Sequence, residues 1–279
     1  MSTADHALIS VAEAARLAVR LWMNSLPNPR PESVSWPSSA STIAVLRTLK
    51  DYLGEPTLYG GTPLGPSIRW RNPDRTLLLQ YADGSFRLTV HETDQLERAG
   101  SHGEQGVIWL LHRGDATPPP MPTADAAADW ESLEESLRIV LVTLGHQVPD
   151  QLGPDEWVAF DLVNHSDGDR TMLFMVTSDE GLSVWVSAHD SEPVHDFSRD
   201  RSDGPLMLGR GWHEYVPQLQ YWRADYELGA TGAADAARLA VADLRARGTS
   251  TNRVSAARIT CSDRGTLALP GLRVASTTA

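Results

Sequence analysis

Residues 156–188 read EWVAFDLVNHSDGDRTMLFMVTSDEGLSVWVSA. Three runs rich in β-branched and aromatic residues, Glu156 to Val163, Thr171 to Thr177 and Leu182 to Ala188, are separated by short polar segments with turn residues such as Asp167, Gly168, Asp179 and Gly181. Connections this short join antiparallel neighbours, so the spacing predicts a three-strand meander. Just before it, Trp130, Leu133, Leu137, Val140, Leu141 and Leu144 recur at helical spacing, with Gly145 as the expected stop. A helix laid on a meander buries one face of the sheet, which places the chain in the α+β class.

Downstream, an irregular acidic stretch leads to a short helix near Leu206 to Leu208 and a strand over Gln218 to Asp225. Thr231 then caps an expected helix from Ala233 to Arg247, with Ala237, Ala240, Val241 and Leu244 on its apolar face. Arg245 and Arg247 suit its negative end, and Gly248 stops it. Residues 251–279 read as a weak strand and a tail.

The first half has a related grammar. Ser10 and Glu13 form a capping box for a helix over 10–23, and residues 25–40, with Pro27, Pro29, Pro31 and Pro37, read as a connector. A second helix starts at Ser41 and ends at Gly54. Strands are expected at Ser67 to Arg71, Thr76 to Tyr81, Phe86 to His91 and Val107 to His112, with Asp83-Gly84 as a hairpin turn. Residues 114–128, GDATPPPMPTADAAA, offer nothing bulky to bury and read as a Pro/Ala-rich linker. The expected organisation is a domain over 1–113, the linker over 114–128, a second domain over 129–250 and a C-terminal strand and tail over 251–279. Setting Leu53-Gly54 on Leu144-Gly145 aligns Asp74 to Leu79 with Asp169 to Phe174, and Gly84 with Gly181. Internal duplication and chance recurrence of a common unit both account for this repeat.

Composition narrows the function classes. The 279 residues carry a formal charge of −12, which repels phosphate backbones and anionic lipid and argues against nucleic-acid and membrane partners. No apolar run is long enough to span a bilayer. Cys261 is the only cysteine, and the N-terminus lacks a leader pattern, so a reducing cytoplasm is the expected compartment.

The segment from about Trp130 to Gly248 orders as helix, three strands, short helix, two strands and final helix. With Trp130 opening the first helix, Leu206-Met207-Leu208-Gly209-Arg210-Gly211-Trp212 in the middle and Trp222 on a late strand, it resembles the YbjN-type, type III secretion chaperone-like domains, including the actinobacterial TY-Chap group. Gly209-Arg210-Gly211-Trp212 departs from the simpler leucine-glycine-tryptophan turn of those domains. The resemblance implies a non-enzymatic α+β domain that binds peptides or protein segments and often forms homodimers.

Candidate chemistry is sparse. His189-Asp190 and His195-Asp196, near His165, Asp167 and Asp169, have the ligand types of a metal site but match no established metal spacing. Residues 198–204 interleave arginines with the acids that a calcium loop would need. Gly60 to Gly65 lacks the Gly-Lys-Ser/Thr of a phosphate loop and reads as a plain loop. Cys261 has no adjacent motif that would activate a thiol. No nucleophile elbow, zincin motif or dinucleotide fingerprint is present. We therefore expect no cofactor, and a metal-dependent enzyme ranks below two binding readings.

The nine tryptophans are more informative, because tryptophan gives large contact area at small rotamer cost. Trp157, Trp185, Trp212 and Trp222 fall in the second half. On the strand from Leu182, Trp185 points opposite to Leu182, Val184 and Val186, so the sheet is either covered on both sides or offers this indole to a partner. Arg170, Arg210 and Arg223 are candidates for holding acidic groups. The expected partner-binding set is Trp157, Trp185, Trp212, Trp222 and Arg223. The expected function is a chaperone-like, peptide- or protein-binding module; the alternative is an immunity-type protein whose acidic surface covers a basic toxin or effector.

Overall fold

The computed structural model describes residues 11–23, 33–37, 42–82, 84–101, 106–113, 125–166, 170–187, 204–262 and 265–275. The chain is α+β and divides into two compact units, 1–122 and 123–279, each built on an antiparallel sheet.

In the first unit, α1 (Val11–Met23), β1 (Ser33–Pro37) and α2 (Thr42–Leu53) precede β2 (Leu58–Thr62), β3 (Gly65–Arg71), β4 (Arg75–Ala82) and β5 (Ser85–Glu92). After these come α3 (Thr93–Ser101) and β6 (Trp109–His112). The strands of this unit run in the order β1-β5-β4-β3-β2-β6. Ile68, Leu79 and Leu88 are paired across β3, β4 and β5, and all are fully buried. Val45, Leu46 and Leu49 bury the apolar stripe of α2. Gly54 ends α2 at φ +78°, a backbone conformation that costs glycine little, and its carbonyl accepts the Trp70 indole N–H at 2.9 Å.

Three elements of this unit depart from the expectation. β1 lies inside the proline-rich connector, pairing residue for residue with β5 from Ser33 to Pro37. At a sheet edge, Pro37 needs no donor for an outer neighbour. Gly60 to Gly65 is not a plain loop, because Gly60 to Thr62 lie in β2 and Pro63-Leu64 turn the chain into β3. A Cβ on Gly60 would lie 2.7 Å from Leu110 Cδ2 and 2.8 Å from the Trp109 carbonyl oxygen, so this glycine serves close strand packing rather than an anion. α3, short and polar, was not legible; its Leu96 is buried and its Glu97 pairs with Arg71.

The second unit runs α4 (Trp130–Leu152), β7 (Trp157–Asn164), β8 (Arg170–Thr177), β9 (Gly181–Ser187), α5 (Gly204–Gly209), β10 (Glu214–Val216), β11 (Tyr221–Tyr226) and α6 (Ala230–Ala246). A 3-10 turn at Thr251–Arg253, β12 (Val254–Cys261) and β13 (Thr266–Ala268) follow. Its sheet order is β10-β11-β9-β8-β7-β12. α4 and α6 pack on each other, α4 against β7 and β8, α6 against β9 and β11. Beneath them Phe160, Phe174, Val184 and Ala224 form one fully buried row, with the two phenyl rings stacked 5.0 Å apart.

The helix ends differ from the expectation. Asp129 caps α4, accepting the Ser132 N–H at 2.7 Å. The helix continues through Gly145, whose bare Cα lets the Leu228 side chain approach; a Cβ there would be 3.1 Å from Leu228 Cδ2. Pro149 follows inside the helix, four residues later. α6 starts at Gly229 without a side-chain cap, so Thr231 lies inside it. Residues 254–262 and 265–275 are more than a loose tail. β12 pairs with β7 from Val254 to Ala257 and, after a register shift, again at Thr260 and Cys261, Ala275 bridges Ser255, and the Arg273 carbonyl accepts the Ala127 N–H at 3.1 Å. Of the internal repeat, β4 answers β8 and β5 answers β9, with Gly84 and Gly181 at φ +73° and +89° in the turns. Gly54 ends its helix, whereas Gly145 does not.

Candidate functional site

Alternation along β8, β9 and β11 separates two faces. Met172, Phe174 and Val176, Leu182, Val184 and Val186, and Trp222 and Ala224 are buried on the side of α4 and α6. Of the residues between them, Leu173, Met175, Trp185, Arg223 and Asp225 are half-buried on the opposite side, and Ser183 there is buried. Register sets Asp161, Leu173, Trp185, Arg223 and Glu214 in one row across β7, β8, β9, β11 and β10. The Arg223 guanidinium lies over the Trp185 ring, 4.7 Å from its centroid, and its Nε donates to Asp225 Oδ1 at 2.7 Å. A cation over an indole at a partly exposed site contributes on the order of 0.5–1 kcal/mol, and here it fixes both side chains. The Trp185 Nε1–H has no acceptor among the described residues.

Asp225 also lines a shallow depression of about 430 Å³ where the β8–β9 turn meets the end of β11, together with Asp179, Glu180, Tyr226, Glu227 and Leu228. Gly181 permits this approach, since a Cβ there would fall 2.6 Å from the Tyr226 carbonyl oxygen. The Tyr226 phenol is pushed up to about 12, first by burial, then by the Asp235 and Asp225 carboxylates. Asp179, Glu180 and Glu227 are exposed and have no ion pair among the described residues.

The structure divides the expected site residues. Trp185 and Arg223 meet, and Trp157 stands at the start of β7 on their face of the sheet. Trp212 and Trp222 are 2% and 5% exposed and pack in the core; Trp222 lies against Tyr215 with ring centroids 5.4 Å apart. All three arginines bind within their own chain, Arg223 to Asp225 and Trp185. Arg170 Nη2 donates to the Ser187 carbonyl, and Arg210 pairs with the buried Asp243 at 3.5 Å, where Arg247 also binds at 2.6 Å. The Arg210 turn therefore fastens α5 to α6. Sequence reasoning missed Asp225 as the anchor of Arg223, although the i, i+2 spacing on one strand was a usable signal.

His189, Asp190, His195, Asp196, the 198–203 run, Asp167 and Asp169 lie outside the described residues. His165 Nε2 is 2.8 Å from Ser255 Oγ, and Ser255 is 2% exposed. Cys261 is buried. Among the described residues no group of three or more His, Cys, Asp or Glu side chains converges to hold a metal ion, and no helix is long and apolar enough to cross a membrane.

The first unit holds a separate polar cluster. Tyr59 donates to Glu55, Lys50 Nζ is 3.0 Å from the same carboxylate, and Lys50 and Arg113 each lie 5.1 Å from the Tyr59 ring centroid. Burial, then the hydrogen bond to Glu55, pushes the Tyr59 phenol up. Burial alone would raise Glu55, but hydrogen bonds from Tyr59 and Lys50 carry its carboxyl below the usual range. The only lysine in the chain thus joins the end of α2 to β2. No family model matches the chain, and no curated protein and no solved structure matches it.

Proposed function

We propose that the chain is a non-enzymatic module whose second unit binds a peptide or a segment of a partner protein on the sheet face opposite α4 and α6. The observation that carries this reading is the Trp185–Arg223 stack at the centre of that face, a half-buried indole beside apolar, half-buried Leu173 and Met175. Tryptophan and arginine with apolar neighbours are the composition of recognition hot spots. The element order from α4 to α6 also suits the resemblance to secretion chaperone-like domains. The test is affinity purification of the tagged full chain from its native host. A stoichiometric partner retained by the unaltered chain and lost by Trp185→Ala is the expected result, and equal retention by both excludes this face.

A second reading, stoichiometric inhibition of a basic toxin or effector, is favoured by the acid-lined depression and the charge of −12. It predicts an association rate that falls steeply as salt rises.

A further inference from the structure

Resting on that binding reading, we infer that the occupant of the sheet face opposite α4 and α6 is a basic amphipathic segment of a partner, its apolar side chains on Trp185 and Met175 and its lysines or arginines in the depression at the end of β11. The two halves of this surface are continuous through Asp225. One oxygen of that carboxylate takes the Arg223 Nε–H, and Arg223 in turn lies over Trp185, while the same residue forms part of the depression wall. Along the wall, Asp179, Glu180 and Glu227 add three exposed carboxylates with no ion pair among the described residues, and no Lys or Arg lines it. Like charges gathered this way repel one another, and a cationic ligand relieves the repulsion.

The spacing and charge select the kind of ligand. Among the described residues no three acidic, histidine or cysteine side chains converge enough for one metal ion, so the carboxylates suit cations distributed along a chain. A second copy of this protein, at −12, would bring like charge to the same place, and a phosphate or nucleic acid would be repelled. A segment alternating apolar and basic residues matches both the exposed part of the indole and its acidic end.

The test uses the full chain and two synthetic dodecamers, one alternating Leu and Lys, the other alternating Leu and Glu, titrated at low salt. The lysine peptide is expected to bind at least about tenfold more tightly than the glutamate peptide. Asp179→Asn, Glu180→Gln and Glu227→Gln together should weaken it about tenfold. An equal neutralisation elsewhere, Asp51→Asn with Glu131→Gln and Glu134→Gln, should change it less than about twofold. Equal affinities for the two peptides, equal effects of the two triple variants, or no binding of the lysine peptide overturns the inference. The binding reading itself falls only if Trp185→Ala also leaves capture of the native-host partner unchanged, so the two failures are distinguishable.

Discussion

The two faces of the second sheet are made by the same strands and differ in chemistry, and along β8, β9 and β11 also largely in exposure. Toward α4 and α6, Phe160, Phe174, Val184 and Ala224 form a row without polar groups and without exposure. One residue along each strand, Asp161, Leu173, Trp185 and Arg223 form a row of mixed chemistry. Trp222 and Trp185 sit on adjacent strands, yet one fills the core and the other carries a cation. The difference teaches that strand parity, more than residue type, decides whether a tryptophan supplies stability or a surface.

Mutating neighbours of opposite parity is the sharpest way to break this contrast. Phe174→Ala removes a fully buried, stacked ring and should cost about 4 kcal/mol in denaturant unfolding, whereas Leu173→Ala, half-buried on the other face, should cost about 1 kcal/mol. Equal costs would mean that the second face is also a closed core. Next in size, Asp243→Ala should cost about 3 kcal/mol, because it leaves Arg210 and Arg247 without the buried carboxylate that tethers α5 to α6. A loss below about 1 kcal/mol would show that this tether is dispensable. Trp222→Ala should cost about 3 kcal/mol and Trp185→Ala about 1 kcal/mol, with the binding defect in the reverse order.

The first sheet supplies a smaller, pH-dependent contrast. Burial first, then Arg69, lowers the pKa of His91, and burial first, then Arg71, lowers that of His112. Both rings are therefore held neutral in the folded state at pH values where the unfolded chain takes up protons. The unfolded state binds more protons just below the ordinary value of 6.5, so their contribution is intact above that pH and declines as pH falls through it toward the folded values. Thermal unfolding followed between pH 7.5 and 5 should show a falling midpoint, flattened in a His91→Gln, His112→Gln double variant. A profile unchanged by the double variant would assign the acid sensitivity to other groups.

Much of the architecture was legible, and the failures have physical causes. Residues 156–188 announce three strands because their apolar runs are long and their turns short, and Asp83-Gly84 marks the β4–β5 hairpin in the same way. β1 was hidden by prolines, which forbid a central strand but not an edge. β2 was hidden by Gly60 and Gly61, and the packing role of Gly60 appears only when Leu110 and Trp109 are brought against it. Gly145 misled because a glycine that admits Leu228 looks the same in sequence as one that ends a helix. Within the candidate site, parity placed Trp185 opposite Val184 and Val186, whereas its contact with Arg223 depends on inter-strand register, which a single sequence does not encode locally.

The central claim, that the face bearing Trp185 is where a partner docks, is tested most directly by hydroxyl-radical footprinting of the full chain, free and with the partner captured from its native host. The account predicts that Trp185 and Met175 are oxidised in the free chain and protected in the complex, while Trp222 stays unreactive in both. Protection confined to α4 and α6, with Trp185 and Met175 equally oxidised with and without partner, would contradict it.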